Sequence, residues 1–448
     1  MASKLHLETA LTPRGWERDL VATIEHGMIV RLDPAGPESD AVRASGVVLP
    51  GLPNLHSHAF QRAMAGLTEH RGSGGEADSF WSWRELMYRF VARLSPDDLE
   101  AIAAFAYMEM LEAGFTWVAE FHYLHHQPDG RTYDNIAEMS ERIVAAADTS
   151  GIGLTLLPVL YRHSGFLGKP ASDAQRRFLN DRDSYARLME TRVPGGNIGI
   201  APHSLRAVAL DDLDWAARTF QGKPAHIHIS EQTREVEDCL AAHQKRPVDL
   251  LFDTIPVDER WCLVHATHAD ANEIARIAQA KPVVGLCPIT EANLGDGLFD
   301  VPALLASGGR FGIGSDSLVR ISAADELRTL EYGQRLIRRQ RNVLGEARRS
   351  TGRLLLDAAL EGGAQAVDRP IGAIAPGQRA DFVVLQDDGH NGGHRDDAVL
   401  DHWLFTADNA AIKTVYRGGI PVVQQGRHRD REAITRRYRK ALAGVLAA

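Results

Sequence analysis

Two histidines two residues apart, His56 and His58, close an apolar run that starts at Val47 and crosses the Pro/Gly break "LPGLP". Residues i and i+2 of a strand share a face, so both imidazoles can point at one ion. A third histidine, His228, sits near the end of "PAHIHIS", and Asp316 ends "FGIGSD". Neutral imidazole is the commonest ligand for zinc and other borderline divalent cations, and a carboxylate completes a mixed site. This set therefore predicts a metal centre where several strands end. Glu231 follows His228 by three residues, and His265 lies in a further apolar run, "WCLVHAT". A carboxylate and an imidazole beside a metal can carry protons and polarise a reacting bond. His226 shares the face of His228 but lies nearer the start of its strand, which predicts a packed role and not ligation. His125, His126 and His163 fall on loops, where exposed histidines are common, and receive no role.

The elements that must bring these residues together alternate along the chain. Eight continuous apolar runs occupy 47–56, 115–121, 152–161, 197–203, 224–230, 261–267, 282–289 and 311–316. Segments of helical periodicity fall between them at 96–113, 135–149, 174–190, 211–220, 232–242 and 269–279. Eight βα units with unbroken apolar strands predict an α/β fold built on a closed (β/α)8 TIM-like barrel. An open doubly wound sheet is expected to carry a Gly-rich phosphate loop after its first strand, and "PGLPNLHSHAF" is not one. In a barrel, catalytic groups come from the C-terminal strand ends, where the residues above fall. Residues 1–49 and 371–448 contain short β-like pieces with turn residues. These predict a small β-sandwich domain made from both termini, with a terminal helix, around a catalytic barrel at 50–370. The Gly/Asp/His-rich stretch 386–397 is expected to be a solvated loop.

Bulk properties narrow the classes of partner. The 448 residues carry a net charge of −9, so neither a nucleic-acid nor an anionic-membrane surface is expected. Any anionic substrate must be gripped by locally placed Arg or Lys. Three scattered cysteines form no CxxC pair or disulfide framework, and no apolar leader or membrane-length run occurs. A cytoplasmic enzyme is expected.

Five stretches carry a family resemblance over nearly the whole length. "LPGLPNLHSHAF", "HIHISE", "LVHATH" and "GIGSDS" resemble the first-strand HxH, the fifth-strand His with its Glu, the sixth-strand His and the eighth-strand Asp of the amidohydrolase superfamily. "IGAIAPGQRADFVVL" resembles that superfamily's return into its small β-sandwich. Finer stretches, "NLHSHAFQRAMAGL", "DSFWSWRELMYRF", "VAEFHYLHH", "APHSLRAV" and "TEANLGDG", are similar to the members that deiminate formiminoglutamate.

The resemblance implies a hydrolase that converts N-formimino-L-glutamate to N-formyl-L-glutamate and ammonia in histidine degradation. It implies one divalent ion per chain, zinc or iron, held by His56, His58, His228 and Asp316. Such an ion lowers the pKa of water from about 15.7 to roughly 7 and so supplies hydroxide near neutrality. Glu231 is then the proton shuttle, with His265 and Asp316 as further catalytic groups. Gln61, Arg84, Tyr123, His203 and Arg206 are implied to line the substrate pocket. The long loop carrying Arg84 is expected to reach a neighbouring subunit's site, which implies a homodimer. Superfamily members with two metals usually bridge them with a fourth-strand lysine, and "IGIAPHS" has none. Ser317-Leu318 departs from the pattern, since many relatives carry a His or other polar residue second after the Asp. Two alternatives stay open: a deaminase for guanine or a related heterocyclic amidine, and a catalytically silent metal-binding barrel.

Overall fold

The run that ends in the paired histidines, Leu52–Ser57 (β1), is buried along its whole length. So are Phe115–His122 (β2), Gly153–Leu160 (β3), Ala225–Ile229 (β5), Trp261–His265 (β6) and Val283–Leu286 (β7). Strands covered on both faces need no polar alternation, which is why these segments read as continuous apolar runs. The fourth strand, β4, forms in two short pieces, Asn197–Ile198 and Ala201–Pro202, and the eighth, β8, is Arg310–Ile313. Every pairing in the series is parallel: Leu52 faces Phe115, Trp117 faces Gly153, Thr155 faces Asn197, and Ala225 faces Trp261. Single parallel bridges join β4 to β5 (Ile200–Ala225 and Ser204–His228) and β8 back to β1 (Ser57–Asp316). The result is a TIM-like barrel with helices between its strands. This computed structural model describes residues 2–36, 40–69, 79–386 and 395–447. Most of the loop expected at 386–397 thus lies outside the described residues.

Both chain ends meet in one eight-stranded sheet. Val42–Pro50 pairs in parallel with Ser3–Thr12 on one side and antiparallel with Phe382–Leu385 on the other. Leu7, Ile24, Val48, Phe382 and Val384 bury one face of it. The strand Val42–Pro50 runs almost directly into β1 through Gly51, where a Cβ would collide with the Thr116 side chain. The small sheet therefore anchors the start of the histidine-bearing strand. The terminal helix Arg431–Ala447 lies on the barrel helix Pro96–Glu112: Tyr438 stacks on Phe105 with ring centroids 4.0 Å apart, and Arg437 pairs with Glu100 at 2.5 Å.

Several expected spans need correction. A helix, Phe80–Val91, occupies what was read as a long loop after β1; Ser79 caps it by accepting from the Trp81 N–H. The helix expected at 174–190 begins only at Arg182, because Asp181 caps a new start by accepting from Ser184 N–H at 2.8 Å. The strand expected at 282–289 stops at Leu286, since Pro288 opens a short helix.

Candidate active site

Three ring nitrogens converge at the C-terminal mouth of the barrel. His56 Nε2 lies 3.2 Å from His58 Nε2 and 3.0 Å from His228 Nε2. Asp316 Oδ1 lies 3.5 Å from His56 Nε2 and 3.3 Å from His58 Nε2. Hydrogen-bond chemistry fixes what these atoms present. His58 Nδ1 donates to the Phe121 carbonyl at 2.9 Å, and His228 Nδ1 donates to the His203 carbonyl at 3.1 Å. Burial lowers the pKa of all three imidazoles, that of His56 to about 3, so the rings are neutral. A neutral ring that donates through Nδ1 has a bare lone pair at Nε2. Two such lone pairs and a carboxylate oxygen thus face one another in a buried space. That arrangement repels itself, and a divalent cation satisfies it; the backbone carbonyls behind the rings are the usual orienting partners of metal-bound histidines.

Proton-handling groups line the adjoining wall. Glu231 Oε1 lies 3.9 Å, and Asp316 Oδ2 3.7 Å, from His265 Nε2. Burial, with Asp316 and Glu235 nearby, pushes the Glu231 carboxyl up to about 7 against the opposing pull of His265. Burial works against a charge on His265, but Glu231, Glu291 and Asp316 overcome it and push its pKa up to about 10. Glu291 Oε1 accepts from His265 Nδ1 at 3.2 Å and from the Cys287 backbone N–H at 2.9 Å, which fixes the imidazole's orientation. Glu235 Oε2 accepts from the Glu231 backbone N–H at 3.2 Å. The strand ends that aim these groups have left-handed backbone at non-glycine residues: Ser230 (φ 52°), His265 (68°), Ala266 (50°) and Asp316 (42°). Such conformations persist only where surrounding packing over-determines them.

The pocket in front of these groups is where the predicted substrate residues meet. His58, Gln61, Arg84, Tyr123, His203 and Arg206 all line it, as do Glu231 and His265. Gln61 Nε2 donates to the Tyr123 hydroxyl at 3.1 Å, while Gln61 Oε1 is buried without a partner. Arg206 is buried and forms no ion pair or hydrogen bond with a described residue. Arg84 Nε and Nη1 are likewise buried and unpartnered, and its guanidinium lies 4.6 Å from the Trp81 ring centroid. Burial and the charge of Arg206 both lower the pKa of Arg84. A buried and a half-buried guanidinium, neither in direct contact with a carboxylate of a described residue, call for an anionic ligand.

A sequence profile described as the amidohydrolase family matches residues 47–422. The chain belongs to the amidohydrolase family. Formimidoylglutamate deiminase of Pseudomonas aeruginosa is 50% identical over 453 aligned residues, covering 99% of this chain and 100% of that protein. The same organism's 8-oxoguanine deaminase is 30% identical, covering 95% and 94% of the two chains. The crystal structure of an amidohydrolase from Brucella melitensis has a TM-score of 0.94 to this chain at 48% identity, covering 99% and 100%.

Some site residues of this amidohydrolase differ from their reading in the sequence. Arg84 sits on a helix, where a loop was expected, and lines this chain's pocket. His226 is packed deep in the barrel as anticipated, its Nε2 donating to the Ala366 carbonyl at 2.9 Å. Glu235 and Glu291 were given no role, although an acid four residues after Glu231 or after Cys287 lies one helical turn on and can fold back onto that residue's backbone N–H. Leu318, at the position that departs from the superfamily pattern, is buried, while Ser317 before it lines the pocket and bonds Thr290 at 2.9 Å between hydroxyl oxygens.

His125 and His126 are not exposed loop residues. Their Nε2 atoms donate to the carbonyls of Val159 (3.1 Å) and Leu179 (2.7 Å), and both rings are buried beside β2, as is His122. Burial lowers all three pKa values, that of His122 to about 3. Below the ordinary value of 6.5 the unfolded chain therefore binds protons that the folded chain refuses, and stability falls with pH. Each fully neutral histidine contributes up to about 1.4 kcal/mol per pH unit. Urea midpoints measured between pH 7.5 and 5 are expected to drop steeply, and less so in a His125→Asn, His126→Asn variant.

Proposed function

We propose that this amidohydrolase is a hydrolytic deiminase that converts N-formimino-L-glutamate to N-formyl-L-glutamate and ammonia, a step of histidine degradation. The observation that carries the reading is the pair of arginines, buried Arg206 and half-buried Arg84, that lie in the same pocket as Glu231 and form no ion pair or hydrogen bond with a described residue. A dicarboxylate supplies a direct hydrogen-bonded partner to each, and its formimino carbon then lies toward the histidine cluster. The 50% identity to a formimidoylglutamate deiminase supports the same substrate. A heterocyclic amidine such as guanine has no use for two carboxylate-binding cations.

In this reading His56, His58, His228 and Asp316 hold one divalent ion, zinc or iron, as their opposed lone pairs require. When bound, such an ion lowers the pKa of water into the neutral range and so provides the nucleophile. Glu231 accepts the proton of the attacking water and passes it to the departing nitrogen, so that the group leaves as ammonia. His265, held by Glu291, donates a hydrogen bond to the charge that develops during attack. Arg206 and Arg84 fix the two carboxylates through parallel hydrogen bonds, with Gln61, Tyr123 and His203 along the chain between them. The reading includes a homodimer in the cytoplasm. It also takes residues 1–49 and 371–448 as one small β-sandwich domain beside a barrel at 50–370, supported by the single sheet that draws on both ends.

Ammonia release from formiminoglutamate, with elemental analysis of the same preparation, tests this. One equivalent of zinc or iron per chain and turnover of formiminoglutamate are expected, and activity on guanine alone would reverse the assignment. Chelation is expected to abolish turnover and lower the melting temperature, with one equivalent of the metal restoring both.

A further inference from the structure

Beside the three-histidine cluster lies a second set of donors with no role in the scheme above as a set. A ring nitrogen of His265, the Sγ of Cys287 and a carboxylate oxygen of Asp316 all lie within 4.8 Å of one another, and all three residues are buried. The two carboxylate oxygens of Asp316 divide between the clusters: Oδ1 faces His56 and His58, while Oδ2 faces His265 Nε2 at 3.7 Å. One carboxylate can therefore bridge two centres.

The second set is also built from behind. Glu291 Oε1 accepts from both His265 Nδ1 and the Cys287 backbone N–H. It thereby turns His265 Nε2 toward Asp316 and fixes the backbone that carries the thiol. A carboxylate behind a histidine is the customary support for a metal-binding imidazole. The Cys287 thiol itself makes no hydrogen bond with a described residue. Imidazole, thiolate and carboxylate together suit a thiophilic divalent cation such as zinc, cobalt or cadmium, and not magnesium or calcium.

We infer that His265, Cys287 and Asp316 form a second, inhibitory site for a thiophilic divalent cation, sharing Asp316 with the three-histidine centre. Binding breaks the Sγ–H bond and forms a sulfur–metal bond. The thiol proton, and any proton on His265 Nε2, leaves to solvent. Filling the site stops turnover because it occupies the nitrogen of His265 that the deimination uses to donate to the developing charge, so the inhibitory part of the inference rests on the function proposed above.

The test uses the full-length protein already carrying its first equivalent of zinc, titrated with cobalt(II). The three-histidine centre contains no sulfur, so a near-ultraviolet thiolate-to-cobalt charge-transfer band reports on Cys287. The band is expected to grow with the second equivalent, and excess zinc is expected both to suppress it and to inhibit ammonia release. Cys287→Ser is expected to lose the band, keep the first equivalent of metal, and need at least about tenfold more zinc for half-inhibition. A wild-type protein without the band at inhibitory cobalt concentrations overturns the site, and does so even where the variant fails to fold. A folded Cys287→Ser protein inhibited at the wild-type zinc concentration overturns it equally. The band and the metal count need no substrate: if the band appears but formiminoglutamate yields no ammonia, the function fails and the site stands.

Discussion

Replacing Glu231 with glutamine is expected to lower kcat by between about a hundredfold and ten-thousandfold, the range typical of a lost acid–base group, with the metal content unchanged. The amide keeps the size and burial of the carboxyl but cannot accept a proton from water or return one to nitrogen. The pH profile gives a sharper signature. Burial, with Asp316 and Glu235 close by, pushes the Glu231 carboxyl up to about 7. The carboxylate that must accept a proton therefore predominates above that pH and is lost as pH falls through it. Wild-type kcat is expected to show an acid limb near neutrality, and the residual activity of the glutamine variant should lack it. Turnover within a few fold of wild type would refute the shuttle.

Arg206→Ala is the second large effect, and it should fall on the Michaelis constant. A buried guanidinium bonded to a carboxylate contributes about 1.5–3 kcal/mol, so kcat/KM is expected to fall roughly 10- to 150-fold. Arg206 makes no ion pair or hydrogen bond in the described protein. Against the burial that raises them, however, its charge lowers the pKa of the Glu235 and Glu231 carboxyls, so its removal costs some stability even as it relieves repulsion on Arg84. The melting temperature of the unliganded variant should fall modestly, while KM climbs by far more than that loss of stability explains. Loss of a merely structural arginine would lower the melting temperature and leave KM unchanged. Lysine at 206 should restore only part of the affinity, since a single ammonium cannot make two parallel hydrogen bonds to a carboxylate. An unchanged KM in the alanine variant would remove the clamp.

What the sequence made legible was whatever depends on strand periodicity. His56 and His58 share a face because they are two apart, and β1, β2 and β3 are visible because their residues are buried on both sides. The approach of His228 and Asp316 to that pair follows from barrel closure, which an eight-fold βα count already suggests. Contacts made by folding back were not legible. Glu291 and Glu235 look like ordinary acids in the first turn of a helix, and only the fold directs one onto His265 and the other onto the Glu231 backbone. The helix bearing Arg84 did carry a signal, since Phe80, Trp83, Met87 and Val91 recur at helical spacing behind Ser79. The helix expected at 174–190 failed for the opposite reason: its periodicity continues through a cap, and only the local competition of Asp181 for the Ser184 N–H restarts the chain.

The left-handed residues at the barrel mouth bear on how this protein could be engineered. Glycine adopts those dihedral angles freely, whereas an L side chain gives up about 1–2 kcal/mol there. Selection for heat resistance alone would thus draw glycine to Ser230 and Ala266, the two such positions that carry no assigned chemistry. Each glycine would also slacken the hinge that aims Glu231 or follows His265. Thermal endurance and catalytic speed compete here at individual backbone torsions, so a hardened variant should be screened for rate at those two positions first.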